Sequence, residues 1–139
     1  MKAANVRLHL LVAMVHGIET AGALLDRLPF KAKGQGKKRF DLAIRKLFVA
    51  KYSEANKHLN LYSQLRSHLS HCMLPAKTIS VLDDPSKTHL EFSESVLHIS
   101  LTELYNDYLH AIELLIKEID SGKLKNKKIM FDNLNFYAK

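Results

Sequence analysis

The segment SLTELYNDYLHAIELLIKEIDSG, residues 100–122, carries the clearest helical pattern in this chain of 139 residues. It opens with a capping box, because Ser100 can cap the helix and Glu103 can return a hydrogen bond to Ser100. A Ser-Gly pair at 121–122 closes it. These signals predict a long amphipathic helix packed against other helices. Its apolar face consists of Leu101, Leu104, Tyr105, Tyr108, Ile112, Leu115 and Ile119.

A first helix precedes it near the N-terminus. Asn5 is a plausible N-cap, apolar residues return at helical spacing, and the pattern runs to about Leu28, before Pro29. Gly17 and Gly22 weaken this helix locally. We therefore expect both glycines to mark the close approach of a partner helix.

A second helical pattern forms a continuous seam through the middle of the chain. Arg66 occupies the seam position between Tyr62 and Leu69. Burying a guanidinium is costly unless it is paired or faces an anion. The alternative is that Arg66 lays its stem along apolar surface and keeps its head in water. The seam residues are Phe48, Tyr52, Ala55, Leu59, Tyr62, Leu69 and Met73.

The remaining segments complete the predicted fold. Residues 30–39 read as a basic loop, and residues 75–99 as a non-helical or β-hairpin excursion with strand-like alternation at 78–82 and 90–93. Residues 123–139 form a basic and then apolar tail, which we expect to pack on the domain or on a second subunit. We predict one all-α domain, residues 1–139, an up-and-down bundle of three to four long helices.

The overall composition indicates a cytoplasmic globular protein. A single cysteine excludes an internal disulfide, and we expect it to be packed in the interior. We find no segment apolar and long enough to cross a bilayer; the best, from Leu8 to Val15, is short. The net charge of +7 makes contact with a polyanion plausible.

Most of this charge lies in one stretch. Residues 31–46 contain seven basic residues and one acid. The two glycines in this stretch are not a phosphate-binding P-loop, because no Gly-Lys-Ser/Thr follows them. The stretch is either a solvated, flexible loop or a patch that contacts phosphates. The candidate nucleic-acid-binding residues are Lys37, Lys38, Arg39, Arg45 and Lys46.

Arg66 and His71 form an R-x4-H pair within a dense group of reactive side chains, residues 62–72. Arginine can hold a scissile phosphate, and imidazole can carry a proton at neutral pH. RNA supplies its own nucleophile, the 2′-hydroxyl, so this chemistry needs no metal. Positions five apart point about 140° apart in an ideal helix. Convergence of the two side chains therefore requires the helix to end or kink near Ser70.

The R-x4-H pair and the order of the segments resemble the HEPN superfamily, small helical bundles that include many metal-independent ribonucleases. The resemblance implies a homodimer, or a higher oligomer, whose two motifs line one cleft. It assigns catalysis to Arg66 and His71. Ser67 and His68 would be auxiliary; the family often has Asn, Asp or His where this chain has Ser67.

The first hypothesis is therefore a HEPN-like endoribonuclease, a toxin or phage-defence component that cleaves RNA by transesterification and pairs with an antitoxin or accessory protein. We expect no cofactor and no metal, because His68, His71 and Cys72 are too few for a zinc site. The second hypothesis is a non-catalytic, basic helical bundle that binds RNA as an oligomer. A third is a pure protein-interaction module.

Overall fold

The computed structural model describes residues 2–124, which form five α-helices, one π-helical segment and three short strands. The elements in chain order are α1 (Lys2–Leu25), α2 (Gly36–Leu47), α3 (Ala50–Leu59), the π segment (Tyr62–Ser67), α4 (His68–Cys72), β1 (Ile79–Val81), β2 (Glu91–Ser93), β3 (Val96–Ile99) and α5 (Leu101–Asp120). The expectation for the tail falls almost wholly on residues 125–139, which lie outside the described residues.

Helix α5 confirms the predicted cap and extent, but Tyr105, which was predicted on the apolar face, is 40% exposed. Ser100 is the N-cap, and its hydroxyl accepts a 3.2 Å hydrogen bond from the Glu103 backbone N–H. Leu104, Ala111 and Leu115 are buried in the core on one face. The helix ends at Asp120, directly before the predicted Ser-Gly stop.

The glycines of α1 also behave as predicted. A Cβ on Gly22 would overlap the backbone carbonyl of Arg39 in α2, and one on Gly17 would overlap the Tyr108 hydroxyl in α5. Both positions therefore allow close approach of a neighbouring helix. Helix α1 ends at Leu25, three residues before the predicted limit.

The second helical pattern was predicted wrongly as one helix. The predicted basic loop ends at residue 35, because α2 begins at Gly36. Further along the chain, Asn60 has a left-handed backbone (φ 52°), which separates α3 from the π segment. This break shifts the buried register by one residue, so the seam continues through Leu61, Leu65 and Leu69. Arg66 lies beside the seam and is only partly buried, not within the seam as predicted.

The excursion before α5 is a small mixed sheet, so the fold is largely helical but not all-α. Strands β2 and β3 form an antiparallel hairpin, with Phe92 opposite Leu97, and β1 pairs with β3 in parallel, with Ile79 opposite Leu97. The strand order is β1-β3-β2. The two predicted strands were correctly located, but they do not pair with each other. Each pairs with a third strand, residues 96–99, which was not predicted.

Helix α1 corrects the expectation about membranes. Its residues Ala4–Leu25 are long and apolar enough to cross a membrane, with a mean hydropathy of 1.5. The core helix of a folded domain meets the same criterion. In this fold Met14, Val15 and Ile18 of α1 are buried in the hydrophobic core shared with α2 and α5.

Candidate functional site

Arg66 is held by an ion pair between the π segment and α1. Its Nε faces Oε2 of Glu19, and the two side chains are 22% and 23% exposed. Both of these atoms are excluded from solvent, so the ion pair is what offsets their burial. The guanidinium also lies 5.5 Å from the centre of the Tyr62 ring. The arginine is therefore fixed by an anion and by an aromatic ring.

An imidazole and a hydroxyl meet one helical turn away from this ion pair. His16, three residues before Glu19, places Nε2 3.0 Å from the Ser70 hydroxyl oxygen. Its Nδ1 lies 2.8 Å from the Val12 carbonyl oxygen, so Nδ1 carries the proton and donates it there. In the neutral imidazole, Nε2 is then left as a hydrogen-bond acceptor. The Ser70 hydroxyl has a second acceptor 3.0 Å away, the Arg66 carbonyl.

The other predicted catalytic residues are more exposed. His68 and His71 lie on the exposed side of α4, and Ser67 is partly buried at the end of the π segment. Within residues 2–124, no side-chain hydrogen bond or ion pair joins Arg66 to any of these three. Helix α4 does end soon after Ser70, at Cys72, as convergence of the R-x4-H pair requires.

Four of the five predicted nucleic-acid-binding residues are exposed on α2. They are Lys37, Lys38, Arg45 and Lys46. Lys37 forms a 2.5 Å ion pair with Asp41, in which the lysine side chain remains 54% exposed. Exposed lysine and arginine side chains are free to approach phosphates.

Arg39 is the exception, because its side chain is only 8% exposed. Its Nε donates to Asp26 at 2.6 Å, and its two terminal nitrogens donate to the carbonyls of Phe30 (2.9 Å) and Pro29 (2.8 Å). This arginine fastens the loop after α1 to α2. Its assignment to nucleic-acid binding is therefore wrong, since its donors are turned inward.

The basic helix and the arginine cluster are neighbours. A Cβ on Gly36, the first residue of α2, would lie 2.5 Å from the Tyr62 hydroxyl and 3.0 Å from Oε1 of Glu19. The start of α2, with exposed Lys37 and Lys38, therefore borders the cluster of Arg66. We define the Arg66 cluster as His16, Glu19, Tyr62, Arg66 and Ser70.

The sequence pattern did not single out His16 or Glu19 as site residues. The only available signal was their i, i+3 spacing, which places both on one face of α1. That spacing does not indicate which helix the face meets.

A second polar cluster joins α3 to α5. The Ser100 N–H donates to Nδ1 of His89 (3.0 Å), so Nε2 carries the proton and donates to the Tyr52 oxygen (2.9 Å). The Tyr52 hydroxyl in turn donates to Asp107 (2.7 Å). Burial raises the pKa of Tyr52 far above its usual range, and the Asp107 hydrogen bond adds to the rise. Burial lowers the pKa of His89, against the opposing charges of Glu103 and Asp107. This chain of hydrogen bonds locks a neutral histidine into the fold.

Other reactive groups do not assemble into a site. Among the described residues, no group of three or more His, Cys, Asp or Glu side chains is placed to hold a metal ion. Cys72 is exposed, which corrects the expectation of a packed thiol.

In comparisons with known proteins, no family model, no curated protein and no solved structure matches the chain.

Proposed function

We propose that this protein is a HEPN-like, metal-independent endoribonuclease. The observation that carries the proposal is the way Arg66 is held. Glu19 engages Nε, while the two terminal nitrogens have no hydrogen-bond partner among the described residues. Those nitrogens form the edge of the guanidinium that binds phosphate oxygens in a bidentate manner. A π-helical segment is also frequently found at functional sites.

The proposed reaction is internal transesterification of RNA. Arg66 holds the scissile phosphate and offsets the charge that develops on it. The 2′-hydroxyl attacks phosphorus, and the bond to the 5′ oxygen breaks, which leaves a 2′,3′-cyclic phosphate and a 5′-hydroxyl. His71 carries a proton, and Ser67 and His68 are auxiliary. Exposed basic residues of α2 steer the RNA towards the cluster that they border.

The proposal extends to the biological setting through the resemblance to the HEPN superfamily. The protein would act in the cytoplasm as a toxin or phage-defence component, with an antitoxin or accessory protein as its partner. It would work as a homodimer. Support for a dimer comes from large apolar side chains on the solvent side of α5, because Tyr105, Leu109 and Ile116 are 40%, 44% and 50% exposed.

The test is cleavage of a fluorescent oligoribonucleotide in EDTA by the wild type, Arg66→Ala and His71→Ala. We expect the wild type to release a 2′,3′-cyclic phosphate product and both variants to be at least about 100-fold slower, the usual contribution of a positioned proton carrier. Arg27→Ala is the matched control, since it removes an exposed arginine that lies outside both the Arg66 cluster and α2. Equal cleavage by all four proteins, or by none, would refute the proposed reaction.

The alternative is a non-catalytic RNA-binding bundle, favoured by the four exposed basic residues of α2. In that case RNA binding survives Arg66→Ala and His71→Ala. Affinity then falls steeply with salt, because the lysines and arginines displace condensed counterions. Replacing Lys37 and Lys38 with Gln would reduce the slope of log Kd against log salt by about two. Absence of RNA affinity at moderate salt would instead favour a protein-interaction module.

A further inference from the structure

His16 is oriented as a proton acceptor towards the segment that carries Arg66. Its Nδ1 donates to the Val12 carbonyl, which fixes the tautomer and leaves the Nε2 lone pair pointing at the Ser70 hydroxyl, 3.0 Å away. A general base needs this distance from the hydroxyl that it deprotonates. His16 is partly buried, so its side chain is neither fully exposed nor closed off from solvent.

His9 shows which part of this arrangement is special. It lies on the same helix and its Nδ1 makes the same hydrogen bond to the carbonyl four residues earlier, that of Asn5, at 2.6 Å. Its Nε2 has no partner within the described residues, and the side chain is exposed. The carbonyl hydrogen bond is therefore a repeated local feature of α1. In His16, unlike His9, Nε2 also contacts the Ser70 hydroxyl of the Arg66 cluster.

Ser70 occupies the place that a substrate hydroxyl would take. Its own proton has two acceptors at 3.0 Å, Nε2 of His16 and the carbonyl of Arg66. It can therefore turn to the carbonyl and release His16 without losing a hydrogen bond. Since Arg66 is four residues before Ser70, an RNA phosphate held by Arg66 would lie one helical turn from the vacated imidazole.

We infer that His16 is a second catalytic imidazole, the general base of the reaction, an inference that rests on the proposed function. Nε2 of His16 takes the proton of the 2′-hydroxyl as the 2′ oxygen bonds to phosphorus. The bond from phosphorus to the 5′ oxygen breaks, and that oxygen takes a proton from the imidazolium of His71. Deprotonation and leaving-group protonation are thus divided between α1 and α4.

The experiment compares cleavage in EDTA by His16→Ala, His16→Gln, Ser70→Ala and His9→Ala. We expect both His16 variants to be slower by about 100-fold or more, and His9→Ala to equal the wild type. Ser70→Ala tests whether the serine is itself the nucleophile, because only a protein that keeps the Ser70 hydroxyl can form a phosphoserine adduct. Free imidazole should restore cleavage by His16→Ala, a rescue that a structural role would not produce. Far-ultraviolet circular dichroism melts verify that each variant is folded.

The outcomes separate this inference from the proposed function. A wild-type rate in both His16 variants, with activity lost in Arg66→Ala, removes the role of His16 and leaves the ribonuclease. If Ser70→Ala loses activity and the wild type forms a phosphoserine adduct, Ser70 is the nucleophile and the inference is overturned. If His16→Ala is folded and inactive, and imidazole does not restore its activity, then His16 is not the general base. A wild type that cleaves nothing refutes the proposed function and this role together.

Discussion

The ion pair between Glu19 and Arg66 gives the most direct test of how the cluster is built. Glu19→Gln removes the charge but keeps the shape, which leaves the guanidinium partly buried without its anion. A fully buried pair costs about 3–5 kcal/mol to break, and an exposed one about 0–1 kcal/mol. With both side chains about one-fifth exposed, at 22% and 23%, we expect an intermediate loss of about 1–2 kcal/mol in the free energy of unfolding.

The measurement is urea unfolding of Glu19→Gln, Arg66→Met and the double variant, followed by circular dichroism. Each single variant leaves one charge unpaired, so the double variant should lose less stability than the sum of the two single losses. We expect a coupling energy of about 1 kcal/mol or more. Lys37→Gln is the matched control, because it breaks the exposed pair with Asp41 and should cost about 0–0.5 kcal/mol.

One result would contradict the role assigned to Glu19. If Glu19→Gln costs no more than Lys37→Gln and the cycle shows no coupling, the carboxylate does not hold the arginine. The orientation argued for the phosphate-binding edge of Arg66 would then lose its basis.

Three further predictions follow from the packing, the buried histidine and the exposed face of α5. Gly22→Ala should lower the free energy of unfolding by about 2 kcal/mol or more, because its Cβ would meet the Arg39 carbonyl. Thr20→Ala, at an exposed position of the same helix, is the control. Equal urea midpoints for the two variants would contradict the close approach of α1 and α2. The depressed pKa of His89 means that the folded state binds fewer protons than the unfolded state below about pH 6.5. The stability contributed by the neutral ring is therefore present above that pH and is lost as the pH falls, by up to about 1.4 kcal/mol per pH unit. His89→Asn should make the free energy of unfolding, measured in urea, depend less on pH. An unchanged slope would exclude this histidine as the cause. Leu109→Lys places a charge on the exposed apolar side of α5 and should shift sedimentation from dimer to monomer; a wild type that is monomeric at high concentration would refute the dimer.

Local signals in the sequence were sufficient for α5. Its cap and its stop are both contained within residues 100–122, although Asp83 also accepts hydrogen bonds from Ser100 and Thr102 at the start of the helix. Gly17 and Gly22 were similarly informative, because a missing side chain in a helix has few structural explanations. The existence of the non-helical excursion was also readable, although the strand at 96–99, to which both predicted strands pair, was not.

Tertiary contacts determined what the sequence could not show. Arg39 looks like any other residue of a basic stretch, and only the packing of the loop after α1 turns its donors inward. His16 and Glu19 lie more than 40 positions before Arg66. Their relation to the arginine depends on which face of α1 meets the π segment, and no local spacing records that choice.

The backbone break at Asn60 explains why the seam passes beside Arg66 and not through it. After the left-handed break at Asn60, the buried residues Leu61, Leu65 and Leu69 follow one another at spacings of four. Residues four apart lie on the same face of a helix, so the three leucines point into one interface. Arg66, one position after Leu65, is then carried to the edge of the interface. There Glu19 engages its Nε. The position of the guanidinium therefore depends both on the backbone register after Asn60 and on the ion pair with Glu19.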